Sequence, residues 1–334
     1  MPPSPADRTD RVAARGASGN PDAAAWSRNP WIVAALVGFV WCYTGGNYLA
    51  FKVASASLPP LMVATLRFVL SALVLLPIAV WRLRRGARPR VRELGAAAAI
   101  GVVMLVFGQT LSIEGTHRLP AGVSAVFAAS SPLFIALLAW AVERRPPSRT
   151  QLAGILLGFA GLSLMGVGAF ERSGIRPDGA VLTLLAGLFW AAGSVWASRL
   201  LLPDDMAVGL LAQLLPAGLI LVLADAATGT LSGIAWAAVP AAAWASVAFL
   251  VLVSTVLGYA AFLLLNRHVS PGTANSFAYA APVISIALSA VLLGERLTVL
   301  KLSAAAVALL GVAVMILGTP RRRPLPEIEP EATA

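Results

Sequence analysis

One apolar stretch of this chain carries groups that a lipid-crossing segment does not need. Residues 272 to 296 read "GTANSFAYAAPVISIALSAVLLGER", setting Asn275, Tyr279 and Pro282 into a run of Ala, Val, Ile and Leu. Their spacing of i, i+4 and i+7 places a carboxamide, a phenol and a helix breaker on one helix face. Such a face can hydrogen-bond a polar solute, and Pro282 frees the carbonyl near residue 278 for the same use. The competing reading is a polar pair that holds two helices together, an interaction of about 1 kcal/mol. Arg67 poses the same choice, because a cation within an apolar run is costly unless paired or hydrated. It either meets a solute or braces a carbonyl. Gln109 and Tyr259 also fall mid-run, as do Trp41 and Trp190, which are too deep to be interfacial belt residues and suit cavity walls. Ser131 and Pro132 join this set, with Tyr43, Asn47 and Ser130 as weaker members. Lys52, one turn from the end of its run, reads as an interfacial anchor.

Catalytic chemistry finds few residues to work with. His117 and His268 fall between apolar runs, and no His-Glu-x-x-His pair exists to hold zinc. The stretch "GLSLMG" lacks the spacing of a nucleophile elbow, and no Walker loop is present. Glu114, Glu143, Glu171, Asp225 and Glu295 are all read at run ends or in loops, so no central acid is expected to carry protons. Glu143 and Glu295 fit capping or pairing at an interface. No catalytic residue, metal or cofactor is therefore expected.

The elements that position these residues follow from composition. The chain has 334 residues, 58% hydrophobic and only 12% charged, so its solvent is mostly lipid. The net charge of +10 sits in short segments between apolar runs, which argues against a nucleic-acid partner. A lone cysteine, Cys42, rules out a disulfide framework. Residues 1–30, rich in Pro, Ala, Asp and Arg, read as a disordered tail, and 319–334 as a second tail. A helix needs ~20 apolar residues to cross a bilayer. Ten runs qualify: about Trp31–Val53, Leu61–Trp81, Leu94–Ile113, Ala121–Val142, Thr150–Phe170, Gly179–Leu201, Met206–Leu223, Ala243–Leu265, Gly272–Gly294 and Val299–Leu317. They must be helices, because only a helix satisfies its own backbone in lipid at that length. The fold class is all-α and polytopic, with the bilayer as partner.

With both termini on one side, eighteen basic residues share that side and five face the other, so the termini are expected in the cytoplasm. The chain also repeats itself at a shift of 150. Gly108 meets Gly258, Gly122 meets Gly272, Phe127 meets Phe277 and Pro132 meets Pro282. Gly161 and Met165 meet Gly311 and Met315, while "GFVW" at 38–41 matches "GLFW" at 187–190. Each half, 31–170 and 179–318, holds five runs. An odd number inverts the second copy, the arrangement of alternating-access transporters. Gly154 and Gly158 form a GxxxG suited to close packing within the chain.

"FVWCYTGGNYLAFK", "LPPLMVATLRFVLSALVLL" and "PVISIALSAVLLGERLTVLKLSAAAVALLGVAVMI" resemble the opening and closing of an EamA-type domain. That domain belongs to the ten-helix branch of the drug/metabolite transporter superfamily. The resemblance covers about 31–318 in two copies. It departs where Glu143 follows Pro132 by 11 residues but Glu295 follows Pro282 by 13, and where Ala304 replaces a usual glycine. It implies inner-membrane efflux or exchange of amino acids, metabolites or drugs. Without a central acid, the expected substrate is small and neutral or zwitterionic. A polytopic membrane enzyme or lipid-modifying protein is the alternative, and it lacks a nucleophile or carboxylate pair. Oligomerisation leaves no signal.

Overall fold

The computed structural model describes residues 29–143, 146–173, 177–268 and 276–317, and among these no strand occurs. The two tails, apart from Asn29 and Pro30, lie outside the described residues, as does Asn275. Asn29 and Pro30 open the first helix rather than belonging to a tail. The Asn29 side chain accepts from Trp31 N–H at 3.0 Å, and Pro30, needing no donor there, begins the helix.

The helices are α1 (Pro30–Ser55), α2 (Pro60–Arg84), α3 (Val91–Arg118), α4 (Ala121–Glu143), α5 (Arg149–Ser173), α6 (Pro177–Ala197), α7 (Met206–Thr228), α8 (Ala241–His268), α9 (Phe277–Leu293) and α10 (Val299–Leu317). Seven of them are long and apolar enough to cross a bilayer. Shorter apolar stretches, Arg149–Met165, Ala280–Leu293 and Val299–Met315, represent α5, α9 and α10. Large apolar side chains stand exposed around the outside, among them Leu73, Leu156, Leu219, Val291 and Leu310. A belt of this kind suits lipid as the surrounding solvent.

Three helices are not regular. α3 passes from α-helix into a π-helix over Val102–Gln109 and back at Thr110, and α8 does the same over Phe249–Gly258. The two π segments occupy equivalent places in the repeats, each ending beside Gly108 or Gly258. Both are dense in β-branched residues, which crowd an ordinary helical turn. α4 is broken in the middle: Ala121–Ala128 and Ser131–Glu143 are separate helices joined by a turn. Pro132 explains the break, since it has no donor for the Ala128 carbonyl and its ring would collide with it. Ser131 Oγ donates to that carbonyl instead, at 2.8 Å. Pro282, its counterpart, sits inside a continuous α9. The softened turn that the sequence suggests at Pro282 is a full interruption in α4 and none in the described part of α9.

Two seams join equivalent helices of the two halves. α5 packs on α10 with backbones in direct approach: a Cβ on Gly154 or Gly161 would overlap the backbone of Met315 or Ala308, and one on Gly311 would overlap Gly158. The GxxxG therefore serves packing within the chain. α2 packs on α7, tied at one end by Arg82 Nε and Asp205 Oδ2 at 2.8 Å. Asp205 also caps α7, accepting from Ala207 N–H and Val208 N–H. Of the remaining helices, α3 packs on α6 and α7, α1 on α8 and α9, and α4 on α6.

Candidate functional site

Arg67 stands where the irregular elements meet. It projects from α2 and is only 6% exposed. Its Nε donates to Thr255 Oγ1, one terminal nitrogen to Gln109 Oε1 and the other to Ser254 Oγ, each at 3.0 Å. Gln109 ends the π segment of α3, and Ser254 and Thr255 lie in that of α8. One guanidinium thus stitches together distorted turns from both repeats. The rings of Phe51 and Phe68 lie 5.5 Å from its central carbon, favourable for a cation. A guanidinium has five N–H groups, so these three bonds leave two without an acceptor among the described residues. All three acceptors are neutral, and no carboxylate forms an ion pair with Arg67 among the described residues.

From Gln109 the neighbourhood continues through close backbone approaches. Gly108 faces the backbone nitrogen of Trp190, 3.5 Å from where a Cβ would stand, and Phe107 stacks on Phe189 at 5.1 Å. One turn back along α6, Gly187 abuts the hydroxyls of Ser130 and Ser131 at the broken turn of α4. Gln109, Trp190, Ser131 and Pro132 are half-buried and belong to one connected band with Arg67. On the other side of Arg67, Gly258 packs on the Tyr43 ring of α1, and Tyr259 follows it within reach of Gln213. α1 also touches α9, with Gly45 against Ala281 and Ile284, next to the buried Pro282. Trp41 is 37% exposed and donates through Nε1 to Ser276 Oγ at 2.9 Å, bridging α1 to the start of α9. Tyr279 lies in α9, one turn before Pro282.

The buried atoms Asn47 Oδ1, Ser71 Oγ and Ser130 Oγ have no hydrogen-bond partner among the described residues. Ser71 is one helical turn from Arg67. Buried polar atoms of this kind are uncommon away from sites that receive a solute or water. A cleft of about 420 Å³ lies elsewhere, between the α2–α3 and α6–α7 connections, lined by Arg82 and Asp205 and by no residue of the band around Arg67.

Sequence reasoning missed Ser254 and Thr255. A buried arginine demands acceptors, and a Ser-Thr pair in the middle of an apolar run was the available signal. It placed Asp225 at a run end or in a loop and missed its burial: α7 continues to Thr228, and Asp225 is fully buried in its last turn. Lys52, read as an interfacial anchor, caps a helix end, its Nζ donating to the carbonyls of His117 and Leu119 at 2.8 Å, where α3 ends. Glu295 is the complementary cap, accepting from Ala121 N–H at 2.8 Å at the start of α4. The α3–α4 turn is thus held from both sides.

Comparison with known proteins agrees with this architecture. The model of the EamA-like transporter family matches twice, over residues 29–167 and 178–317. The chain is 32% identical over 278 residues to an uncharacterized inner membrane transporter of Escherichia coli, YedA, covering 82% of this chain and 87% of that one. It is 29% identical over 307 residues to a probable amino-acid metabolite efflux pump of Salmonella typhimurium, covering 89% and 98%. A solved crystal structure with 18% identity superposes with a TM-score of 0.58 over 85% of this chain and 96% of its own, a likeness of fold alone. Two matched copies that together span nearly all the described residues leave one reading: the chain is a membrane transporter of the EamA-like transporter family.

Proposed function

We propose that this transporter exports a small zwitterionic metabolite of the amino-acid kind by rocking its two repeats around the band that contains Arg67. The observation that carries the proposal is the charge state of that band. Arg67 is a cation among neutral acceptors with N–H groups to spare, which suits a carboxylate and gives a neutral solute no advantage. In this reading Gln109 and Tyr259 hydrogen-bond the solute, and Trp41 and Trp190 form its walls. Ser131 and Pro132 offer the backbone of a broken turn, as discontinuous helices do at mid-membrane sites. Asn275, Tyr279 and Pro282 supply the facing surface from the other repeat. Ser254 and Thr255 bind Arg67 across the repeat boundary, so rocking exchanges these bonds for bonds to solute. A relative described as an amino-acid metabolite efflux pump supports the substrate class.

The orientation proposed is termini and arginine-rich connections in the cytoplasm, in an inner membrane, and the eighteen-to-five asymmetry supports it. Lipid and a small solute are the partners, nucleic acid is not one, and the chain does no covalent chemistry.

Counterflow in proteoliposomes with labelled amino acids and their decarboxylated amines tests the proposal. Amino acids should exchange and the amines should not, and Arg67→Gln should remove the difference. Equal transport of both classes by the wild type would reject a carboxylate-binding Arg67. Asn275→Ala and Tyr279→Phe should each weaken apparent affinity roughly 2- to 100-fold if they bond the solute. Lowered thermal stability at unchanged affinity would make them helix glue.

A further inference from the structure

Asp225 takes no part in the band around Arg67. It is fully buried in α7, and its Oδ1 has no hydrogen-bond partner among the described residues. Its Oδ2 meets Thr65 Oγ1 of α2 in a short hydrogen bond. The same Thr65 oxygen lies 3.1 Å from the Leu61 carbonyl. A threonine hydroxyl has one proton and cannot donate to both neighbours. Both contacts are hydrogen bonds together only when Asp225 is protonated: its O–H donates to Thr65, and Thr65 donates to Leu61. A helical threonine approaches the carbonyl four residues back in either case, so this geometry accommodates a neutral acid and the surroundings decide whether one is present.

The surroundings agree. α2, α3 and the short turn Thr230–Gly233 pack against α7. On α2, Arg67 turns toward Gln109 of α3 and Ser254 and Thr255 of α8 and forms no ion pair with Asp225 among the described residues, and Arg82 pairs with Asp205 at the far end of the seam. On α3, Glu93 caps the first turn, while Arg118 pairs with Glu114 of its own helix and with Asp178 of α6. The turn Thr230–Gly233 carries no charge. Among the described residues no cation pairs with Asp225, so an ionised carboxylate there would be buried with the Thr65 hydroxyl as its one side-chain partner.

The bond crosses from the first repeat to the second, at the opposite end of the α2–α7 seam from the Arg82–Asp205 pair. We infer that Asp225 is a proton-binding site on this seam, a carboxylic acid while the seam is closed there and a carboxylate when it opens to water. On release the O–H bond breaks, the proton passes to water, and the carboxylate keeps the electron pair. Thr65 then turns its hydroxyl from Leu61 to the carboxylate or parts from it. One carboxylate and one hydroxyl provide too few oxygens for a metal cation, which leaves the proton as ligand. Driving export with this proton would rest on the transport reading; the site itself does not.

Infrared titration of the full chain in liposomes reads the acid without any substrate. The wild type should show a carboxylic-acid C=O stretch at neutral pH that vanishes in alkaline buffer and that Asp225→Asn lacks. Asparagine keeps a donor toward Thr65, so this variant should fold. Thr65→Val removes the acceptor and should shift the same band to higher frequency. A wild-type spectrum matching that of Asp225→Asn, a band unmoved by Thr65→Val, or a band persisting wherever the protein stays folded would each overturn the inference. None of these results depends on whether amino acids are carried.

Discussion

Arg67 is held by direction as much as by charge. Its three bonds leave along different nitrogens toward two helices, an arrangement that a single ammonium cannot reproduce. Arg67→Lys should therefore lose at least one charge-assisted bond, costing about 1.5–3 kcal/mol, and should lower the unfolding temperature in detergent. An unchanged midpoint would mean that the fork geometry contributes nothing to stability. Glu295 gives the opposite case. Its Oε1 accepts one backbone N–H at the start of α4, and a glutamine oxygen can do the same. Glu295→Gln should keep substantial transport and lose only ~0.3–1 kcal/mol of helix-terminus charge stabilisation. Abolished transport in a folded variant would assign Glu295 a role in coupling. The arginine was legible in the sequence because a cation in an apolar run is conspicuous. Its acceptors were not, because hydroxyls are common in membrane helices and only the fold decides which of them turn toward it.

At the scale of elements, the π segments separate what could be read from what could not. Apolar run length placed the helices, since crossing lipid constrains length directly. A widened turn has no such signature: i→i+5 bonding is selected by what the helix packs against. Gly101 enters the α3 π segment with its α-carbon against the Gln213 backbone, and Gly258 leaves the α8 one against the Tyr43 ring. Neither contact is local in sequence. The break in α4 shows the same limit, for Pro132 and Pro282 are matched in sequence and yet interrupt one helix and not the other. The burial of Asp225 was lost to a different cause, because its span was ended at Leu223 while the helix runs on to Thr228. A paired substitution tests the π packing. A Cβ at Gly258 would stand 2.8 Å from the Tyr43 ring, so Gly258→Ala should destabilise by about 1–3 kcal/mol. Gly38, with nothing within 4 Å of a Cβ, is the control, and Gly38→Ala should stabilise by ~0.5–1 kcal/mol. Equal effects at the two positions would count against the close approach at Gly258.

For the whole molecule, the repeat was readable from matched prolines and GxxW motifs, and the family model matches twice, over 29–167 and 178–317. Orientation rests on the distribution of arginines, and a reporter tag at residue 88 should label only from the cytoplasmic side. Labelling from outside would invert the transporter and the direction assigned to it. The α5–α10 seam should respond to a single methyl group. Gly311→Ala places carbon against the Gly158 backbone, which has no flexible end to give way, and should cost about 1–3 kcal/mol in thermal unfolding. Survival at the wild-type midpoint would show that the two helices can separate freely.

The backbone-on-backbone contact of α5 and α10 also has a thermal consequence. Interfaces formed in water depend on the hydrophobic effect, which is entropic near room temperature and weakens on cooling. Two helices in lipid have no such force between them, because the tails they displace are as apolar as they are. What holds glycine against glycine is dispersion at close range, an enthalpic attraction that cooling does not remove. Nor does assembling this stretch freeze any glycine rotamer, for glycine has none to lose. The seam is thus cold-tolerant by construction, and a chilled membrane should leave it shut while contacts that depend on water loosen first.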